Sequence, residues 1–160
     1  MVSGASQHDF HALDSVKDFV KDMEAIKQAV TDRYRGFHIL FDYTGFDTVP
    51  ARELSDWIMD CIRDALSTNE IRCVHSHSEV FEDPSVSPPG FAAVCLLDES
   101  HVSAHCYSDK GMLAVDVFTC GGRPDKTYAA AEAIHTAIMT RFPSCKFLGS
   151  AVSRFPHTNA

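Results

Sequence analysis

From Phe10 to about Tyr34 the apolar residues Phe10, Leu13, Val16, Phe19, Val20, Met23, Ile26 and Val30 recur at three- and four-residue steps. That is the spacing of an amphipathic helix, with room for an interruption near its start. The pattern changes at Gly36, where Phe37-His38-Ile39-Leu40-Phe41-Asp42-Tyr43 predicts a strand that the turn-prone Thr44-Gly45 closes. Pro50 and Ala51 then open a second helix with Leu54, Trp57, Ile58, Cys61, Ile62 and Ala65 on one face and Ser67-Thr68-Asn69 at its end. A strand is predicted over 71–81. The stretch 82–90 holds Pro84, Pro88 and Pro89, and because proline has no N–H for a ladder it is read as a loop. Strands over 91–97, 102–105 and 112–118 follow, joined by connections short enough to make antiparallel neighbours. A third helix over 126–142 lines up Ala130, Ala133, Ile134, Ala137, Ile138 and Phe142, and 145–152 reads as a last strand.

This order predicts an α+β fold, a two-layer α/β sandwich with a mainly antiparallel sheet and helices on one face. No repeat, low-complexity tract or linker divides the chain, so the expected organisation is a helical extension over 1–35 and one domain over 36–160. A chain of 160 residues can bury roughly 70% of the surface its unfolded form exposes, enough for one sizeable core.

Charge narrows the partners. Lys and Arg number 14 against 22 Asp and Glu, a formal charge of -8, which disfavours nucleic acid or an anionic membrane as partner. The longest apolar runs, such as Phe91–Leu97, fall far short of the ~20 residues that span a bilayer. Residues 1–8 lack a secretory pattern. Six cysteines at scattered spacings, several inside apolar elements, read as free thiols, and the expected location is the cytoplasm.

Candidate chemistry concentrates in Leu97-Asp98-Glu99-Ser100-His101-Val102-Ser103-Ala104-His105 and in Asp116-Val117-Phe118-Thr119-Cys120-Gly121. Each residue has a bland reading. A serine near a strand end is usually a turn or cap residue, a histidine pair can be surface decoration, and cysteine is often a small buried hydrophobe. Together they carry more. Alternation puts His101, Ser103 and His105 on one side of a strand, histidine titrates near neutrality, and Cys120 stands where a rigid strand meets a loop. A metal protein is one rival, since His75, His77, His101 and His105 offer four imidazoles and Cys106 a thiol, although no His-Glu-x-x-His or paired Cys-x-x-Cys supports it.

The stretch Glu99-Ser100-His101 with His105, followed by Ala114-Val115-Asp116-Val117-Phe118-Thr119-Cys120-Gly121, resembles the core of the short, prokaryotic-type S-adenosylmethionine decarboxylases. Gly36-Phe37-His38-Ile39-Leu40-Phe41-Asp42-Tyr43-Thr44-Gly45 is similar to that family's opening strand, and the likeness runs from about Gly36 to Val152. The resemblance implies a pyruvoyl-dependent proenzyme of polyamine (spermidine) biosynthesis that cuts itself between Glu99 and Ser100. Ser100 would attack the Glu99 carbonyl, and His105 would remove the serine α-proton. The residue would end as a pyruvoyl cofactor able to form a Schiff base with a substrate amine. Such a cut requires a strained turn with donors aimed at the developing oxyanion. Cys120 would return the proton to the substrate α-carbon. A homodimer of cleaved protomers with sites at or near the interface is implied as well.

The departures fall where substrate is recognised. The family's Thr-Trp-Pro-Glu after the histidine is Cys106-Tyr107-Ser108-Asp109 here; the resemblance implies a glutamate on the ribose hydroxyls, which Asp109, one methylene shorter, is expected to replace, and Tyr107 is a further expected substrate-binding residue. The family's Phe-His-x-Phe is replaced by His75-Ser76-His77-Ser78-Glu79-Val80-Phe81, leaving Phe81 or Phe91 as the candidate aromatic for the substrate. Its helper serine falls on Ala92, with Ser85 and Ser87 in the adjoining loop. S-adenosylmethionine is the expected substrate. Ornithine or arginine, its distal cation paired with Asp109 or Glu79, is the alternative, and an unprocessed non-catalytic relative is a further one.

Overall fold

The computed structural model describes residues 11–13, 36–120 and 124–154. Its strands are β1 (His11–Leu13), β2 (Gly36–Thr44), β3 (Cys73–Phe81), β4 (Gly90–Leu97), β5 (His101–Tyr107), β6 (Met112–Cys120) and β7 (Lys146–Arg154), with helices α1 (Ala51–Thr68) and α2 (Pro124–Arg141). All pair antiparallel in one sheet of order β1-β7-β2-β6-β5-β4-β3.

Period-two alternation builds the sandwich. Phe37, Ile39, Phe41 and Tyr43 of β2, Leu113, Val115 and Val117 of β6, Val102, Ala104 and Cys106 of β5, and Phe91, Ala93 and Cys95 of β4 are all buried and share one face through the strand register. Both helices cover that face. Helix α1 contributes Leu54, Ile58, Ile62 and Leu66, and α2 contributes Tyr128, Ala131, Ile134 and Ile138 to the same cluster. His135 of α2 enters the core too, where its Nδ1 lies 2.8 Å from Tyr43 Oη and burial lowers its pKa. Arg141 ties the helices together, bonding Glu53 at 2.7 Å while its guanidinium lies 4.5 Å from the Trp57 ring centroid. The two-layer α+β expectation thus stands, and the predicted strands and helices from 36 onward fall within a few residues of those observed.

The opposite face carries His38, Leu40 and Asp42 of β2, Ala114, Asp116, Phe118 and Cys120 of β6, His101, Ser103, His105 and Tyr107 of β5, and Val94 and Leu96 of β4. No helix among the described residues covers it. Gly90 matters to the sheet, because a Cβ there would come within 1.9 Å of the Cys106 carbonyl oxygen.

One expectation needs correction. The helix over 10–34 lies mostly outside the described residues, and within it His11–Leu13 is a strand that pairs with Gly149–Ala151 of β7. Helical spacing is local, whereas this pairing is contributed by a partner far along the chain.

Candidate active site

Asp98, Glu99 and Ser100 form a three-residue connection between β4 and β5, and the Leu97 N–H donates to the Ser100 carbonyl at 2.9 Å. None of Asp98, Glu99 and Ser100 has a positive φ, so the strain expected at this turn is not that of a left-handed backbone. The end of β6 runs alongside and delivers Cys120. Its thiol donates to the Glu99 carbonyl oxygen at 2.6 Å, and its backbone N–H donates to Ser100 Oγ at 3.3 Å. One residue therefore grips both the carbonyl and the hydroxyl of the Glu99–Ser100 unit. Burial, then the Glu99 carboxylate, pushes the Cys120 thiol up, which keeps it protonated at neutral pH and able to donate.

A cavity of about 470 Å³ opens beside this turn, walled by the loop Glu70–Arg72 that follows α1, by Leu97–Ser100, by Cys120, and by Lys126 and Thr127 in the first turn of α2. Two ion pairs brace it: Arg72 with Asp98 at 3.3 Å, and Lys126 with Glu70. Sequence reasoning missed Glu70, Arg72 and Lys126, because they come together only when the end of α1 and the start of α2 dock at the same end of the sheet.

His101 lies on the open face, stacked on Phe118 at 5.3 Å between centroids and 22° between planes, with the His38 ring 6.1 Å away. Burial lowers the His38 pKa, assisted by His101 and Arg154 and opposed by Asp116. Asp116 accepts from the Ser103 hydroxyl at 3.3 Å.

His105 is placed elsewhere. Extended strand rises ~3.3 Å per residue, so His105 stands about 16 Å along β5 from Ser100, and Tyr107 stands farther still. His105 pairs across the sheet with Ala92 and Ala114, its ring lies 5.3 Å from Tyr107, and both line a second cavity of about 210 Å³ with Asp42, Thr44 and Met112. Phe81 is at this same end, opposite Gly90, and Asp109 follows in a short 3₁₀ turn, 3.3 Å from Lys110. The single constellation expected from the sequence is thus two in one chain. Glu99, Ser100 and Cys120 share one end of the sheet, while His105, Tyr107, Phe81 and Asp109 share the other. Ala92 sits beside His105, and Ser85 is turned onto Asp83 at 2.6 Å.

Among the described residues no three His, Cys, Asp or Glu side chains converge as a metal site requires, and His75 and His77 lie exposed on the edge strand β3. The six cysteines are free thiols. No helix of the described residues is long and apolar enough to cross a membrane.

Comparison with known proteins bears on this geometry. The family model for S-adenosylmethionine decarboxylase matches residues 37–145. An S-adenosylmethionine decarboxylase proenzyme of Sulfurihydrogenibium sp. is 35% identical over 99 residues, covering 62% of this chain and 69% of the relative. That of Aquifex aeolicus is 35% identical over 103 residues, covering 64% and 71%. The crystal structure of the adenosylmethionine decarboxylase from Aquifex aeolicus superposes with a TM-score of 0.60 at 27% identity, covering 81% of this chain and 98% of that one. The matched span contains both ends of the sheet just described, and the chain belongs to the S-adenosylmethionine decarboxylase family of carboxy-lyases.

Proposed function

We propose that this protein is a proenzyme that cuts itself between Glu99 and Ser100, keeps a pyruvoyl group made from Ser100, and decarboxylates S-adenosylmethionine, the substrate in its relatives' names. The observation that carries this reading is the grip of Cys120 on both reacting atoms. In the cut, Ser100 Oγ bonds to the Glu99 carbonyl carbon while the peptide C–N bond breaks. Negative charge builds on the Glu99 oxygen, where the Cys120 S–H already points. Loss of the Ser100 α-proton expels the Glu99 carboxylate, after which water enters and the nitrogen leaves as ammonia. The pyruvoyl group supplies a carbonyl that captures the substrate amine and takes up the electrons left when CO2 departs. Cys120, protonated because burial and Glu99 raise its pKa, is the acid that returns a proton to the substrate α-carbon.

His105 removes the Ser100 α-proton in this reading, and the separation along β5 requires that it come from a second copy. The open sheet face supplies the surface for a homodimer. It carries Leu40, Val94, Leu96, Phe118 and Met112, of which Leu96 and Met112 are exposed. A two-fold axis near its centre sets the His105 end of one copy over the Ser100 end of the other. Tyr107, Phe81 and Asp109 then contribute to substrate binding across the same interface.

The replaced segments at 75–81 and 106–109 favour a second reading of the substrate, as ornithine or arginine. CO2 release from S-adenosylmethionine, ornithine and arginine, measured side by side on the purified protein, tests both. Release from S-adenosylmethionine is expected, release only from ornithine or arginine changes the substrate, and release from none overturns the decarboxylase.

A further inference from the structure

Helix α1 ends with the Ile71 N–H on the Leu66 carbonyl at 2.8 Å and the Glu70 N–H on the Ser67 carbonyl at 3.0 Å. These are the two bonds of a Schellman cap, and they place Glu70 at the left-handed position that glycine favours. Glu70 has φ 55°, the one non-glycine among the described residues with a positive φ. A side chain there costs on the order of 1 kcal/mol. An ion pair with an exposed partner is worth ~0–1 kcal/mol, at most of the same order as that cost.

Its partner has a different setting. Lys126 stands in the first turn of α2 with its side chain only 24% exposed, whereas that of Glu70 is 81% exposed. Glu70 thus anchors at the rim and holds Lys126 against the wall of the cavity that contains Glu99–Ser100 and Cys120. Arg72, the other cation of the wall among the described residues, is 75% exposed and engaged by Asp98. Among the described residues Lys126 is therefore the recessed positive charge of the site, and the positive end of the α2 dipole adds to it.

We infer that Lys126 binds the α-carboxylate of the amino acid substrate and that Glu70 is its positioning residue, an inference that rests on the decarboxylase reading above. A substrate whose amine reaches the Ser100 position brings its carboxylate, one carbon away, into the same cavity. That carboxylate leaves as neutral CO2, so its attraction to Lys126 is strongest in the bound substrate and fades toward the transition state. Such contacts lower KM without raising kcat. The amine product has no carboxylate and is not held by Lys126.

Steady-state kinetics on fully processed enzyme test this, together with the inhibition constant of the amine product and the melting temperature. Lys126→Met is expected to raise KM about tenfold or more while kcat holds or rises and product inhibition is unmoved. Lys126→Arg, which keeps the charge, should hold KM near the starting value. Glu70→Gly should raise KM while the melting temperature holds or rises, because the strained backbone is relieved; a purely structural ion pair would give a lower melting temperature and an unmoved KM. Equal shifts in substrate KM and product inhibition, or a fall in kcat with KM unmoved, would overturn the role of Lys126. An unsubstituted enzyme that releases no CO2 from any of the three amino acids instead sinks the decarboxylase reading, and this inference with it.

Discussion

Replacing Cys120 by alanine separates the two duties that the geometry gives this residue. The substitution removes the thiol that lies 2.6 Å from the Glu99 carbonyl oxygen but keeps the backbone N–H that lies 3.3 Å from Ser100 Oγ. Self-cleavage then loses a donor to the developing oxyanion while the nucleophile keeps its anchor. Removing one oxyanion donor costs about 10²–10³ in rate, and a thiol is a weaker donor than an amide. Cys120→Ala should therefore slow cleavage by about ten- to a hundredfold without abolishing it. Cys120→Ser, which retains a hydroxyl donor, should cut at a rate closer to the unsubstituted chain. The assay is a time course of freshly synthesised chain on a denaturing gel, following the loss of the full-length band. Because burial and Glu99 raise the thiol pKa, the donor is present at neutral pH and is lost as pH rises through that raised value, so cleavage should slow in alkaline buffer. Cleavage of Cys120→Ala at the unsubstituted rate would mean that the thiol has no part in holding the charge.

Three other outcomes follow from the same structure. A chain carrying Ser100→Ala cannot cut itself but can donate His105, so co-expression with His105→Ala should restore cleavage of the His105→Ala chain; no restoration would exclude delivery of the histidine across a dimer. Gly90→Ala drives a Cβ to within 1.9 Å of the Cys106 carbonyl and should cost roughly 3 kcal/mol or more, read as a lower denaturation midpoint. Buried His135 and half-buried His38 both have lowered pKa values, caused first by burial. The unfolded chain therefore binds more protons just below pH ~6.5, and the stability these residues hold above that pH is lost as pH falls toward their folded values, which melting curves between pH 7 and 5 would show.

Much of this molecule is legible along the chain because its strands alternate cleanly. Phe37, Ile39, Phe41 and Tyr43 point into the core, and the intervening His38, Leu40 and Asp42 point out of it. The strand at His11–Leu13 is not legible in this way, since its place depends on pairing with Gly149–Ala151 of β7, which no local pattern announces. Glu99, Ser100 and Cys120 emerge as one site because a tight turn and a strand end bring them together. Counting residues groups His105 with Ser100, but extended backbone carries it to the other end of the sheet. Spacing in sequence reports proximity only where the intervening chain turns back. Glu70 and Lys126 were hidden for a related reason. A charged residue after Asn69 looks like an ordinary helix end until its left-handed backbone and its partner on α2 are seen.

Cleavage of the Glu99–Ser100 bond, with Ser100 becoming the cofactor, leaves a signature in mass. Intact-mass measurement of the purified protein under reducing, denaturing conditions tests it most directly, with Ser100→Ala alongside. Two masses are expected, Met1–Glu99 ending in a free carboxylate and the piece from position 100 to Ala160 with a pyruvoyl group in place of its amino-terminal serine, against one whole chain for Ser100→Ala. A single unmodified mass of the whole chain in the unsubstituted protein would contradict it.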